Sequence, residues 1–196
     1  MNRLLLLIAL GCSFPTLYAQ EKLGSYEMSF FDKAYDVQGS EAGKFYVDCA
    51  TLDARHKMGG FIVEGKEVDA FKASFMQARD KFTEWSNLAK QNGVTDLDKE
   101  MEIDFPRLAS YFQYGDLHFA FGQRAKFRFK IMKDGRHVLL AGTGELTASD
   151  NQFMKIDGLI FAFKTADEVD AMLQLLDPQK LAEHFAAKKQ KADLFK

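Results

Sequence analysis

The sequence predicts an α+β protein, with an antiparallel sheet of about seven or eight strands and, packed on one face, one long helix and C-terminal helices. Three observations carry this. Several short segments alternate apolar and polar residues with period two, as strands do in an antiparallel sheet covered on one side only. One long segment instead repeats its apolar residues every three or four positions, the period of a helix. Strands come in runs with helices after them, unlike the regular strand–helix alternation of a wound α/β fold.

Residues 22–31 read as the first strand, with Tyr26, Met28 and Phe30 alternating against Glu27 and Ser29. The polar stretch 32–42, with Gly39-Ser40, reads as a loop. Residues 44–52 form a second strand, 53–57 a turn and 58–64 a third strand, where Gly59-Gly60 signals a bulge or a close backbone approach. The clearest helix spans 66–92. Val68, Phe71, Phe75, Ala78, Phe82, Trp85 and Ala89 draw one stripe, Lys72, Arg79, Lys81, Glu84 and Lys90 lie off it, and Asn92-Gly93 supplies a C-terminal stop. Burying the four aromatic rings of that stripe at ~1.5–3 kcal/mol each is enough to hold the helix against the sheet.

In the second half, Met101, Ile103 and Phe105 alternate with Glu100, Glu102 and Asp104 until Pro106 ends the run. Residues 107–114 read as irregular, with a short helical turn. Leu117, Phe119 and Phe121 alternate with His118 and Ala120, and Phe127, Phe129 and Ile131 alternate with Lys126, Arg128 and Lys130. Asp134-Gly135 is a hairpin turn into a strand from 136 to about 147. After a loop at 148–153, residues 155–164 form the last strand, central by its apolar run from Leu159 to Phe163. The acidic row at 100–104 and the basic row at 126–130 are expected side by side on the solvated face, at ~0.2–1 kcal/mol per opposite pair. Thr165-Ala166-Asp167-Glu168 is a capping box opening a helix that turns Val169, Met172, Leu173 and Leu176 inward. Asp177-Pro178 opens another helix, ending in Lys188-Lys189-Gln190-Lys191.

Two segments resemble each other. Gly60-Phe61-Ile62-Val63 runs into Glu67-Val68-Asp69-Ala70-Phe71, and Gly158-Leu159-Ile160-Phe161 runs into Glu168-Val169-Asp170-Ala171-Met172. A β-β-β-α unit used twice would explain both.

The N-terminus reads as an export signal. Met1-Asn2-Arg3 is a positive n-region, Leu4 to Leu10 is apolar, Pro15 breaks the helix, and Leu17-Tyr18-Ala19 offers a cleavage point. Residues 1–19 are thus expected to be removed, leaving 20–196 as a single α+β domain, periplasmic or secreted. Ala9-Leu10-Gly11-Cys12 also resembles a lipoprotein box, and the alternative is a lipid anchor on Cys12. The apolar run is too short for a transmembrane segment. Cleavage after Ala19 leaves Cys49 as the only thiol, on the strand face of Phe45 and Val47, where it is expected to be buried.

Of 196 residues, 47% are apolar and 28% charged, an ordinary globular balance. The net charge of −2 lacks the basic surplus of a nucleic-acid partner. His56, His118, His137 and His184 show no metal-ligand spacing, Gly142-Thr143-Gly144 has no helix start behind it, and no cofactor motif is present. Glu100, Glu102 and Asp104 fit a solvated strand face better than a catalytic pair. Most of the nineteen phenylalanines read as core. Phe105, Tyr111, Phe112, Tyr114, Phe119 and Phe121, with His118, surround the least regular segment and form the candidate binding patch. The expected function is a non-enzymatic binding or interaction module for a protein or another envelope component. The alternatives are a carrier of an apolar ligand in a pocket under the helix, and a hydrolase using carboxylates or His118.

Overall fold

The computed structural model describes residues 20–53 and 58–194. The expected export signal, the lipidation site at Cys12 and His56 lie outside the described residues. In chain order the elements are β1 (Glu21–Met28), β2 (Lys33–Gly39), β3 (Lys44–Thr51), β4 (Gly59–Glu64) and α1 (Glu67–Gln91), then β5 (Leu97–Met101), β6 (Leu108–Tyr114), β7 (Asp116–Gln123), β8 (Lys126–Ile131) and β9 (His137–Gly142). There follow β10 (Leu146–Thr147), β11 (Lys155–Ile156), β12 (Leu159–Phe163), α2 (Ala166–Gln174) and α3 (Pro178–Asp193). Ten strands join in one antiparallel sheet, its main path running β5-β8-β9-β12-β3-β4-β6-β7, while β10 and β11 pair separately. The α+β class and the antiparallel sheet with its helices are as the sequence predicts. Among the described residues, no helix is long and apolar enough to cross a membrane.

Central strand β3 has β4 along one edge and two partners along the other: β2 at residues 45–47 and β12 at residues 50–51. Between them the ladder forks, and β1 plugs the fork. The Tyr26 hydroxyl donates to the Asp48 carbonyl, and the Ala162 N–H donates to Met28 Sδ at 3.2 Å. Two backbone groups that the ladder abandons are thereby satisfied.

Helix α1 lies across the sheet on its apolar face. Phe75 is the hub, its ring meeting those of Phe71, Phe105, Phe127, Phe161 and Phe163 at centroid separations of 4.8 to 6.2 Å. Phe82 and Trp85 both pack on Phe129. These rings fill the space between helix and sheet. The helix stops as expected, with Gly93 at φ +61° and the Val94 N–H reaching back to the Ala89 carbonyl at 3.0 Å. The Thr165 hydroxyl caps α2, and the Asp177 carboxylate caps α3. Arg79 of α1 pairs with Asp170 of α2, and Lys72 donates to the Leu176 carbonyl at 3.1 Å.

Both resembling segments have the same connectivity, three consecutive antiparallel strands and then a helix: β2-β3-β4-α1 and β8-β9-β12-α2. The second contains the extra β10–β11 hairpin. Of the expected acidic row only Glu100 lies beside the basic row: β5 pairs with β8, setting Asp98 opposite Lys130 and Glu100 opposite Arg128, with Arg128–Asp98 at 2.8 Å and Lys126–Glu100 at 3.3 Å, while Glu102 and Asp104 lie beyond the end of β5.

Four expectations are corrected. Residues 33–39 are a strand, β2, and not a loop; its inward side chains are only Tyr35 and Val37, too little apolar signal to show a period. Residues 107–114 hold no helical turn, and 108–114 are strand β6, whose Tyr111 and Phe112 are both buried on opposite faces and so hide the alternation. The strand expected at 100–105 runs 97–101, and Phe105 enters the core from the irregular segment beyond it. The outward row of β7 is the apolar one. Leu117 and Phe121 are exposed, whereas His118 and Ala120 are buried.

Candidate binding edge at β6 and β7

The β7 inversion follows from the turn before it. Gly115, at φ +69°, makes the tight turn in which Tyr114 faces Asp116. This register sets His118 against Phe112 and Ala120 against Ser110. Phe112 and Ser110 are fully buried toward the core, so their partners point the same way. A register is shared by every pair of a ladder, and the apolar row of β7 is left facing outward. A bulge finishes the strand. Phe121 and Gly122 together oppose Ala109, with Gly122 at φ +70°, and Phe121 stands 66% exposed.

The candidate patch therefore divides. Phe105 and Phe112 are core residues, at 3% and 0% exposure, and neither can meet a partner. Tyr111 is buried on the outer face of the sheet. Tyr114, Phe119 and Phe121 remain accessible to differing degrees, joined by Leu117 at 42%. The loop after β10 runs beside this strand: the Ser149 N–H donates to the Phe119 carbonyl at 2.7 Å, and Phe153 in the same loop is 84% exposed.

His118 clasps that loop. Its Nδ1 faces both Asp150 carboxylate oxygens, at 3.1 and 3.2 Å, and its Nε2 faces the Tyr114 carbonyl at 3.3 Å. The imidazole contact holds the Asp150 carboxyl below its ordinary pKa. Through these two contacts the imidazole ties the loop after β10 to strand β7.

A second polar cluster lies behind the edge, on the outer face. The Tyr111 hydroxyl donates to Asp48 Oδ1, and the Tyr46 ring packs on Tyr111 at 6.0 Å. Burial pushes the Asp48 carboxyl up, the Tyr111 hydrogen bond opposing it, and burial beside Asp48 pushes the Tyr111 phenol well above its usual range. Gly60 permits the approach. A Cβ there would lie 2.3 Å from the Val47 carbonyl and 2.6 Å from the Tyr111 hydroxyl oxygen. The Gly59-Gly60 signal fits this close approach, while Asp48, set between Val47 and Cys49 on a strand, carries no local sequence signal of its burial. Cys49 is buried as expected, and its thiol is pushed well up by burial.

The remaining candidates are dispersed. His184 on α3 pairs with Glu21 at 2.9 Å, and His137 rests on the Phe129 ring. Glu100, Glu102 and Asp104 border an open cleft of about 430 Å³ with Arg124 and Lys126, and Glu100 is paired with Lys126. Among the described residues, no group of three or more His, Cys, Asp or Glu side chains is placed to hold a metal ion. Compared with known proteins, the chain matches no family model, no curated protein and no solved structure.

Proposed function

We propose that this chain is an exported, non-enzymatic binding module that meets the apolar face of a partner protein through β7. The observation that carries this reading is the outward row of Leu117, Phe119 and Phe121 on a terminal strand of the sheet, with Phe153 exposed in the adjoining loop. Isolated surface apolar residues are ordinary, but an apolar row on an edge strand is what soluble proteins usually avoid. Alternate residues of a strand present side chains ~6.6–6.8 Å apart, a spacing suited to the flat apolar face of another sheet. Charges frame the row, with Asp116 and Asp150 toward one end and Arg124 and Lys126 toward the other. They would give a partner one orientation. The export signal read from residues 1–19 assigns the encounter to the envelope or the extracellular space.

Photo-crosslinkers placed at Phe121 and, as the control, at the exposed Glu183 of α3 test this in the native envelope. A discrete adduct at 121, absent at 183 and lost when Leu117→Lys is added, is the expected result. Equal labelling at both positions, or none at 121, overturns the assignment.

A further inference from the structure

At the end of the sheet away from β7, a groove of about 270 Å³ lies between the last turns of α1 and strand β5. It is lined by Trp85, Leu88, Val94, Leu97, Lys99 and Phe129. The way α1 crosses the sheet creates it. Trp85 packs on Phe129, Phe129 pairs with Lys99 of β5, and Leu97 comes next on the same side of β5 toward the end of the helix. The reversal at Gly93 then returns Val94 against the helix, its N–H on the Ala89 carbonyl. Leu88 is 57% and Val94 38% exposed. Single surface leucines are ordinary, but a concave apolar wall with a half-buried indole is the form of a small-molecule site.

The polar groups of this groove are one-sided. Lys99 Nζ stands 4.5 Å from the centroid of the Trp85 ring, and Lys81 Nζ 5.4 Å from it. Neither ammonium has a carboxylate within ion-pair distance among the described residues. The acids of β5, Asp98 and Glu100, are engaged on the opposite side by Arg128, Lys130 and Lys126. Glu84 and Asp96, the other acids at this end, are exposed and pair with neither lysine. The carbonyls at the helix end are taken as well. That of Leu88 accepts from the Asn92 N–H and from Asn92 Nδ2, and those of Ala89 and Lys90 accept from Val94 and Gly93. What the wall still offers is therefore positive charge, concentrated at Trp85. Residues 85 and 91 are ~9 Å apart along the helix axis. The negative pole of α1 acts within its last turn, so it opposes an anion at the Leu88–Val94 end but not beside Trp85.

We propose that this groove binds a small carboxylic acid with an apolar body, its carboxylate held by Lys99 and Lys81 beside Trp85 and its body laid along Leu88, Val94 and Leu97. Charge-assisted hydrogen bonds are the strong ones, and a carboxylate supplies the acceptor that two unpaired ammonium groups lack. A cavity of about 150 Å³ suffices for benzene, so about 270 Å³ takes one ring or a short alkyl chain together with its carboxylate.

Trp85 is the only tryptophan of the chain, so its fluorescence reports on this groove directly. The full chain is titrated with octanoate, phenylacetate and octanol, each below its micelle or solubility threshold. Saturable change with a carboxylate is expected, with octanol at least about tenfold weaker than octanoate. A tighter fit of phenylacetate or of octanoate identifies the body as aryl or alkyl. Lys99→Gln should weaken octanoate about tenfold and leave octanol unchanged, which a merely structural lysine would not do. Leu88→Glu, at an exposed helix position, should abolish octanoate binding at an unchanged urea midpoint. No saturable change with either carboxylate overturns the proposal. So does octanol binding the wild type as tightly as octanoate, which would mean apolar adsorption only.

Discussion

Strands β5 and β7 end the same sheet, yet they end it in opposite ways. On β5 the outward side chains Asp98 and Glu100 lie in an ion-pair ladder with Lys130, Arg128 and Lys126 of β8, and Met101 points into the core. On β7 the outward side chains are Leu117, Phe119 and Phe121, while a histidine points inward. Charge on an edge strand discourages stray pairing, whereas apolar residues there invite contact. The difference shows that composition alone does not orient a strand. The pattern of β5 agrees with its burial, but β7 is turned over by its neighbour β6 through the single-residue turn at Gly115.

The largest effect separates two phenylalanines on neighbouring strands. Phe112→Ala, on the buried face of β6, should cost ~3–5 kcal/mol in urea unfolding, whereas Phe121→Ala, on β7, should stay within ~0.5 kcal/mol. Equal costs would erase the distinction between the buried and exposed rows. Next, Gly60→Ala should cost ~1–3 kcal/mol, because its Cβ presses on a β3 carbonyl and on Tyr111. A fully stable variant would show that the outer-face cluster has room to yield.

The two carboxylates near this edge should respond to pH with opposite signs. Asp150 has a lowered pKa in the folded chain, so its contribution is complete above the unfolded value and is lost as pH falls through the folded one. That loss lies below the ordinary aspartate value of about 3.9, and Asp150→Asn should remove it from the acid limb of a stability profile. Asp48 has a raised pKa through burial. Its contribution is complete below the unfolded value and is lost as pH rises through the folded one, so Asp48→Asn should stabilise the chain at neutral pH. Matching profiles for the two variants would contradict the assigned surroundings. The smallest effect belongs to the β5 ladder. Asp98→Asn should cost at most about 1 kcal/mol, and less in high salt, since its partners are exposed.

Much of the fold was legible because period and burial coincide. The stripe from Val68 to Ala89, the Thr165 and Asp177 caps, the central position of Leu159–Phe163 and the place of Glu100 beside the basic row were all readable on that basis. Reading failed where long-range contacts set the local structure. Nothing within residues 33–39 specifies a strand; β2 exists because the β1 hairpin fills the fork opposite β12. The orientation of β7 depends on β6, whose two buried faces conceal its own. The edge was found from its density of aromatics. Its chemistry was not, because Asp150 and Asp48 reach His118 and Tyr111 from 32 and 63 residues away in the chain.

Cysteine scanning along β7 tests the central claim most directly. With single cysteines at positions 117, 118, 120 and 121, maleimide labelling of the folded chain is compared with the wild type, in which Cys49 is buried. The outward register predicts rapid labelling at 117 and 121 and protection at 118 and 120. The reverse pattern would place the aromatic row in the core and leave no apolar edge for a partner.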